Sequence, residues 1–214
     1  IYFDNLLQQH GFVYSEYKKE DFHNEFEKLR KEHSVLSRTS SAGKFAGGLA
    51  GHSETEIKYH TATHLLHQAL RDVLGETVFQ KGSNITPERL RFDFSFDRKM
   101  TDEEIKKVEA LVNTKIKEDL KVDRKYMTYE EAKDLDAIGL FDDKYDKSNV
   151  SIYAIGPDYA LDSGAKDTRA RGGYYSLEFC GGPHVEETGE MGTFKIAKQE
   201  SVQEGIRRIR GILE

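Results

Sequence analysis

The stretch from Ser53 to Gly75 constrains this chain more than any other. Ser53 and Glu56 stand at capping-box spacing, and the run Ile57 to Leu74 that follows stops at Gly75, a residue suited to a helix C-terminus. At about 100° per residue, Leu65, Leu66, Ala69, Leu70, Val73 and Leu74 cover one side, which needs a partner surface to be buried. His60, His64 and His67 lie along the margin of that side. The pattern predicts a long amphipathic helix with its imidazoles where the core meets an opening.

Candidate partners for that helix follow. Residues 89 to 96 alternate strictly, Leu90, Phe92, Phe94 and Phe96 against Arg91, Asp93 and Ser95, which predicts a half-buried strand. Thr101 with Glu104 opens a second amphipathic helix carrying Ile105, Val108, Val112 and Ile116, and Thr128 with Glu131 opens a shorter one. Further strands are expected at 150 to 155, 174 to 180 and 193 to 198, and Gly156 to Gly173 reads as a long surface loop or lid. Helices and strands interleave without regular βαβ spacing, so the expected class is α+β, a largely antiparallel sheet packed with helices. A helical N-terminal segment is expected to precede it, because Phe22, Phe26 and Leu29 fall at helical spacing within residues 1 to 35. Ser37 to Gly51, rich in serine and glycine, has the composition of a connection. The boundary is placed there: a helical segment and linker at 1–44 and a second domain at 45–214.

Composition excludes several partners. One third of the residues are charged and no apolar run approaches the ~20 residues of a membrane span, so no membrane is expected. The formal charge of −6 argues against attachment to nucleic acid through a general positive field. Two local basic clusters, Arg207, Arg208 and Arg210, and Lys166, Arg169 and Arg171, read either as solvated surface or as contacts to RNA. Cys180 is the single cysteine, which rules out an intrachain disulfide and makes a reduced, cytoplasmic setting the expectation. The chain starts at Ile1 without a cationic, apolar leader, which suggests a piece of a longer protein.

His60 and His64 stand four apart on the predicted helix, so both imidazoles can address one ion. Alone, such a pair is equally the mark of two satisfied polar groups. Cys180 is followed by Gly181, Gly182, Pro183 and His184, a tight turn that can aim a thiol and an imidazole at one point. Three nitrogens and a sulfur suit tetrahedral zinc at roughly 2.0–2.3 Å, whereas the competing reading makes Cys180 a small buried hydrophobe. No nucleophile-elbow serine, phosphate-cradling glycine loop or His-Glu-x-x-His base is present, since Thr61, Ala62 and Thr63 separate the histidines. A metal here would act as Lewis acid or template.

His60-Thr-Ala-Thr-His-Leu-Leu-His67, Gln80-Lys-Gly-Ser83, Arg89-Leu-Arg-Phe-Asp-Phe94, Cys180-Gly-Gly-Pro-His-Val185, Thr188 to Ile196 and Ser201 to Ile209 together resemble the editing domain of alanyl-tRNA synthetase and its free-standing trans-editing relatives. The resemblance implies hydrolysis of serine or glycine wrongly attached to tRNA(Ala), at the ester of the acceptor end, by one part of an alanine–tRNA ligase. It also implies Zn2+ held by His60, His64, Cys180 and His184. Gln80 lines the amino-acid pocket on this reading, and Thr63 faces it or is a helix-packing threonine. Cys180, Gln80 and Thr63 are thus the candidate catalytic residues, and the partners are the tRNA(Ala) acceptor end and the remainder of the synthetase. Pro183 stands where this family often has threonine, and Gly-Pro-His resembles the related threonyl-tRNA synthetase editing domain, which needs no obligatory metal. The alternatives are therefore a threonyl-type editing domain or a non-catalytic, zinc-stabilised tRNA-binding module.

Overall fold

A computed structural model describes residues 28, 49–139, 148–156 and 173–214. The chain divides into two units, Ile1–Phe45 and Ala46–Glu214, and the fold below is that of the second. The expected N-terminal helix, most of the serine- and glycine-rich connection and the loop carrying Lys166, Arg169 and Arg171 lie outside the described residues.

Helix α1 (Glu54–Leu74) starts as its caps dictate: the Ser53 side chain accepts from the Glu56 N–H and the Glu56 side chain accepts from the Ser53 N–H. It ends at Gly75, whose φ of 112° is one that side-chain-bearing residues avoid. Strands β1 (Gln80–Thr86) and β2 (Arg89–Ser95) form a hairpin, α2 (Asp102–Lys117) follows, then β3 (Lys121–Met127) and the short α3 (Tyr129–Asp134). Strands β4 (Val150–Gly156) and β5 (Ser176–Phe179), a 3-10 turn at Thr188–Met191, and the hairpin β6 (Phe194–Gln203) and β7 (Ile206–Leu213) complete the unit. Both α2 and α3 open with the capping boxes read from Thr101 and Thr128.

Every pairing between these described strands is antiparallel. One sheet has the order β1-β2-β7-β6 and the other β3-β4-β5. The α+β class with antiparallel sheet is therefore correct, with the sheet divided in two. Leu90, Phe92 and Phe94 are fully buried, each such side chain stabilising by roughly 1.5–3 kcal/mol, and they pack with Leu65, Leu66, Ala69 and Leu70 of α1 and Val108 and Val112 of α2. Strand β4 serves two cores: Tyr153 and Ile155 join this cluster, while Val150, Ile152 and Ala154 join a smaller one with Tyr129, Ala132, Leu177 and Phe179. Period-two alternation places the two sets on opposite faces of the sheet. No described helix is long and apolar enough to cross a membrane.

Three strands escaped the sequence reading. β1 and β3 are mostly polar, and β7 carries the basic cluster Arg207, Arg208 and Arg210. The charges of β7 are answered across the ladder: Arg208, opposite Asp93, donates to both its oxygens at 2.7 and 2.9 Å, and Arg210 pairs with Glu200 at 3.0 Å. Two of the three arginines in that cluster are thus engaged within the chain.

Candidate metal centre

The two predicted donor pairs meet. The ligand atoms of His60, His64, Cys180 and His184 all lie within 4.8 Å of one another. Helix α1 brings the first two, and β5 with the turn that follows it brings Cys180 and His184. Cys180 Sγ is 3.4 Å from His60 Nε2 and 3.5 Å from His184 Nε2. Gly182 is required at the turn, because a Cβ there would stand 2.5 Å from His60 Cε1 and 3.0 Å from its Nδ1. The imidazoles are more enclosed than the helical pattern predicts: His60, His64 and His67 are all buried rather than at an open margin. The sequence expectation is corrected here, because β5 and the Gly-Gly-Pro-His turn close over that side of the helix.

Each histidine is oriented by an outer partner. His60 Nδ1–H donates to the Pro183 carbonyl at 2.9 Å, so its Nε2 carries a lone pair. Thr61 Oγ1 donates to the Ile57 carbonyl at 3.3 Å, which leaves it to accept from His184 Nδ1–H at 3.1 Å and from the Val185 N–H at 3.2 Å. His184 Nε2 is thereby also a lone pair. His64 Nδ1 lies 2.8 Å from Glu178 Oε2, and its Nε2 is buried without a hydrogen-bond partner among the described residues. Nε2 of each ring is free for the centre and Nδ1 is tied outward, the arrangement of metal-ligating histidines.

The electrostatics favour a positive charge at this point. Burial opposes a charged thiol, but the adjoining imidazoles of His184, His60 and His64, the last of them carrying a positive charge, outweigh it and hold Cys180 down to about 2. Burial likewise opposes ionisation of Glu178, yet the charges of His67 and His64 draw its carboxyl far below the usual range. His64, against burial, is raised to about 10 by Glu178 and Cys180. Burial lowers His184 to about 3 and so keeps it neutral. Two anionic groups therefore surround the ring edges, and in the metal-free chain a proton on His64 offsets one of the two charges. A metal ion could supply that charge and also satisfy the lone pairs of His60 and His184, so the donor set fits a metal.

Thr63 is buried with its hydroxyl donated to the Tyr59 carbonyl at 2.8 Å, and Gln80, half-buried at the start of β1, donates from Nε2 to Ser83 Oγ at 3.1 Å. Two supporting residues were missed. Thr61 sits between the histidines and Glu178 lies in a strand, and neither carries a sequence expectation of its own. The signal for Glu178 was present, since a carboxylate two positions before Cys180 in a buried strand shares that residue's face. Thr61→Val, equal in shape but unable to accept, is expected to weaken metal binding about 10–100-fold. Competition against a chromophoric chelator measures this, and unchanged affinity would remove Thr61 from the account.

Four donors, three histidines and one cysteine, thus converge between a helix and a strand–turn of an α+β unit. Residues 150–210, which include Tyr153, Glu178, Cys180 and His184, match the family described as the threonyl and alanyl tRNA synthetase second additional domain. Among curated relatives, the chain is 52% identical over 190 residues to an alanine–tRNA ligase of Treponema denticola, covering 89% of this chain and 29% of that one. It is 46% identical over 215 residues to that of Borreliella afzelii, with 97% and 33% covered. With that of Treponema pallidum it shares 48% over 189 residues, with 88% and 28% covered. The chain belongs to the alanyl-tRNA synthetase editing-domain family. It spans a third or less of the length of these relatives.

Proposed function

We propose that this chain is the editing portion of an alanine–tRNA ligase and hydrolyses Ser-tRNA(Ala) and Gly-tRNA(Ala). A pocket selecting alanine cannot strongly reject glycine, one methyl smaller, or serine, one hydroxyl larger, so a second, hydrolytic sieve is needed. The observation that carries the reading is the convergence of His60, His64, Cys180 and His184, each ring oriented from outside, in a chain of this family. Zinc is the metal that three imidazoles and a thiolate suit best, and when bound it would supply a Lewis acid that orients the substrate's amino end or polarises its carbonyl.

The chain's own residues do the rest. Pro183, Thr61 and Glu178 hold the three rings in position, and Gln80 and Thr63 border the amino-acid pocket. Because the Thr63 hydroxyl is engaged by Tyr59, its methyl is the group left for the pocket. A water attacks the ester carbonyl and the bond to the ribose oxygen breaks, that oxygen leaving as a hydroxyl by taking up the proton the water gives up, with the neighbouring ribose hydroxyl assisting.

Purified chain should release serine and glycine from tRNA(Ala) faster than alanine, with one zinc per chain, and lose the activity on chelation. Absence of turnover on all three charged tRNAs with zinc bound would overturn the proposal. One observation favours a second reading: four protein donors leave no open position on a tetrahedral ion, as in structural zinc sites. On that reading chelation unfolds the chain and no turnover is seen.

A further inference from the structure

The face of the β3-β4-β5 sheet that meets the metal centre continues beyond the ligands. Arg124, Tyr153 and Glu178 stand opposite one another across the three strands. Glu178 holds His64 and His67, and the Tyr153 ring lies 4.0 Å from the His184 ring, centroid to centroid. The Arg124 guanidinium carbon is 5.8 Å from the Tyr153 centroid and 5.0 Å from that of Tyr126, while its Nε donates to Ser151 Oγ at 2.8 Å. Tyr126 lies two positions along β3 from Arg124, hence on the same face, and is 59% exposed. A continuous row of rings and one guanidinium thus runs from the centre to the surface: His184, Tyr153, Arg124, Tyr126.

Tyr153 is buried and His184 half-buried, while Arg124 and Tyr126 at the outer end are exposed. An exposed aromatic face backed by an arginine is what unpaired nucleobases stack on, with the cation also drawing the phosphate backbone. The acidic chain offers no general positive field, so affinity for RNA must come from such local platforms. We propose that Arg124 and Tyr126 form a stacking platform for an unpaired base at the 3′ end of the RNA whose terminal ester reacts at the centre. The inference rests on the editing reading for the position of that ester. The ester is carried by the last ribose, so the bases nearest the reacting bond are the ones that must lie beside the centre.

The test compares two RNAs, an acceptor-stem minihelix with its single-stranded 3′ end and the same helix trimmed blunt. Binding to the full 214-residue chain is followed by fluorescence anisotropy. Wild type should prefer the intact end. Tyr126→Ala and Arg124→Ala should bind it about tenfold more weakly and lose the preference. Tyr126→Phe, which keeps the ring, should stay within about twofold of wild type. A wild-type chain without preference, or a Tyr126→Ala chain that retains it, overturns the platform. Hydrolysis of Ser-tRNA(Ala) by the same preparations separates the two ideas. Turnover with an unaltered Tyr126→Ala preference sinks the platform alone, whereas lost preference in a chain that never hydrolyses sinks the editing reading alone.

Discussion

Cys180→Ser is expected to lower metal affinity well beyond the roughly 10–100-fold that removal of an outer partner causes, and to abolish deacylation of Ser-tRNA(Ala). The thiol is buried, and the adjoining imidazoles of His184, His60 and His64, the last positively charged, hold it as a thiolate. A serine hydroxyl of the same shape does not ionise there, so the centre loses its one anionic ligand and with it most of the attraction for a dication. The fold should survive, because serine removes only a little volume from the core. Metal content by mass spectrometry, circular dichroism and deacylation rate together check this. A Cys180→Ser chain that keeps stoichiometric metal and full rate would show the sulfur to be a bystander.

Glu178→Leu should cost about 3–5 kcal/mol of stability in the metal-free chain, measured by urea unfolding. The carboxylate is buried, faces His64 at 2.8 Å and His67 at 3.1 Å, and accepts from Ser176 Oγ at 3.3 Å. Its removal leaves two buried imidazoles without their acceptor, which is worse than never having built the network. Glu178→Gln keeps the shape and an acceptor, and should fall between wild type and leucine. The acid response has a definite sign. A carboxyl whose folded pKa is depressed contributes stability that is in place above its ordinary value near 4.5 and is lost as pH falls below it. Wild type should therefore lose stability more steeply than Glu178→Gln below about pH 5. Parallel acid profiles for the two would mean that Glu178 is not held ionised.

Legibility in the sequence followed local chemistry. Three helix starts were readable because capping boxes are four-residue events, and β2 was readable because its two faces differ so sharply. Strand β4 was readable as an apolar run, although its service to two cores was not. β1, β3 and β7 were lost because exposed strand faces carry lysine, arginine and asparagine like any surface, and only a partner such as Asp93 reveals Arg208 as part of a ladder. Tyr126 and Arg124 gave no signal for the same reason. Their meaning depends on the neighbouring strand that carries Tyr153.

The sequence by itself determined the donor types and the shape of each pair, because i, i+4 spacing on a helix and a Gly-Gly-Pro turn are geometries made within a few residues. That His60 and Cys180, 120 positions apart, lie 3.4 Å from one another was decided by the tertiary structure alone. That approach depends on β5 pairing with β4 in one register and on α1 packing beneath it, and a strand slipped by one residue would turn Glu178 and Cys180 to the opposite face.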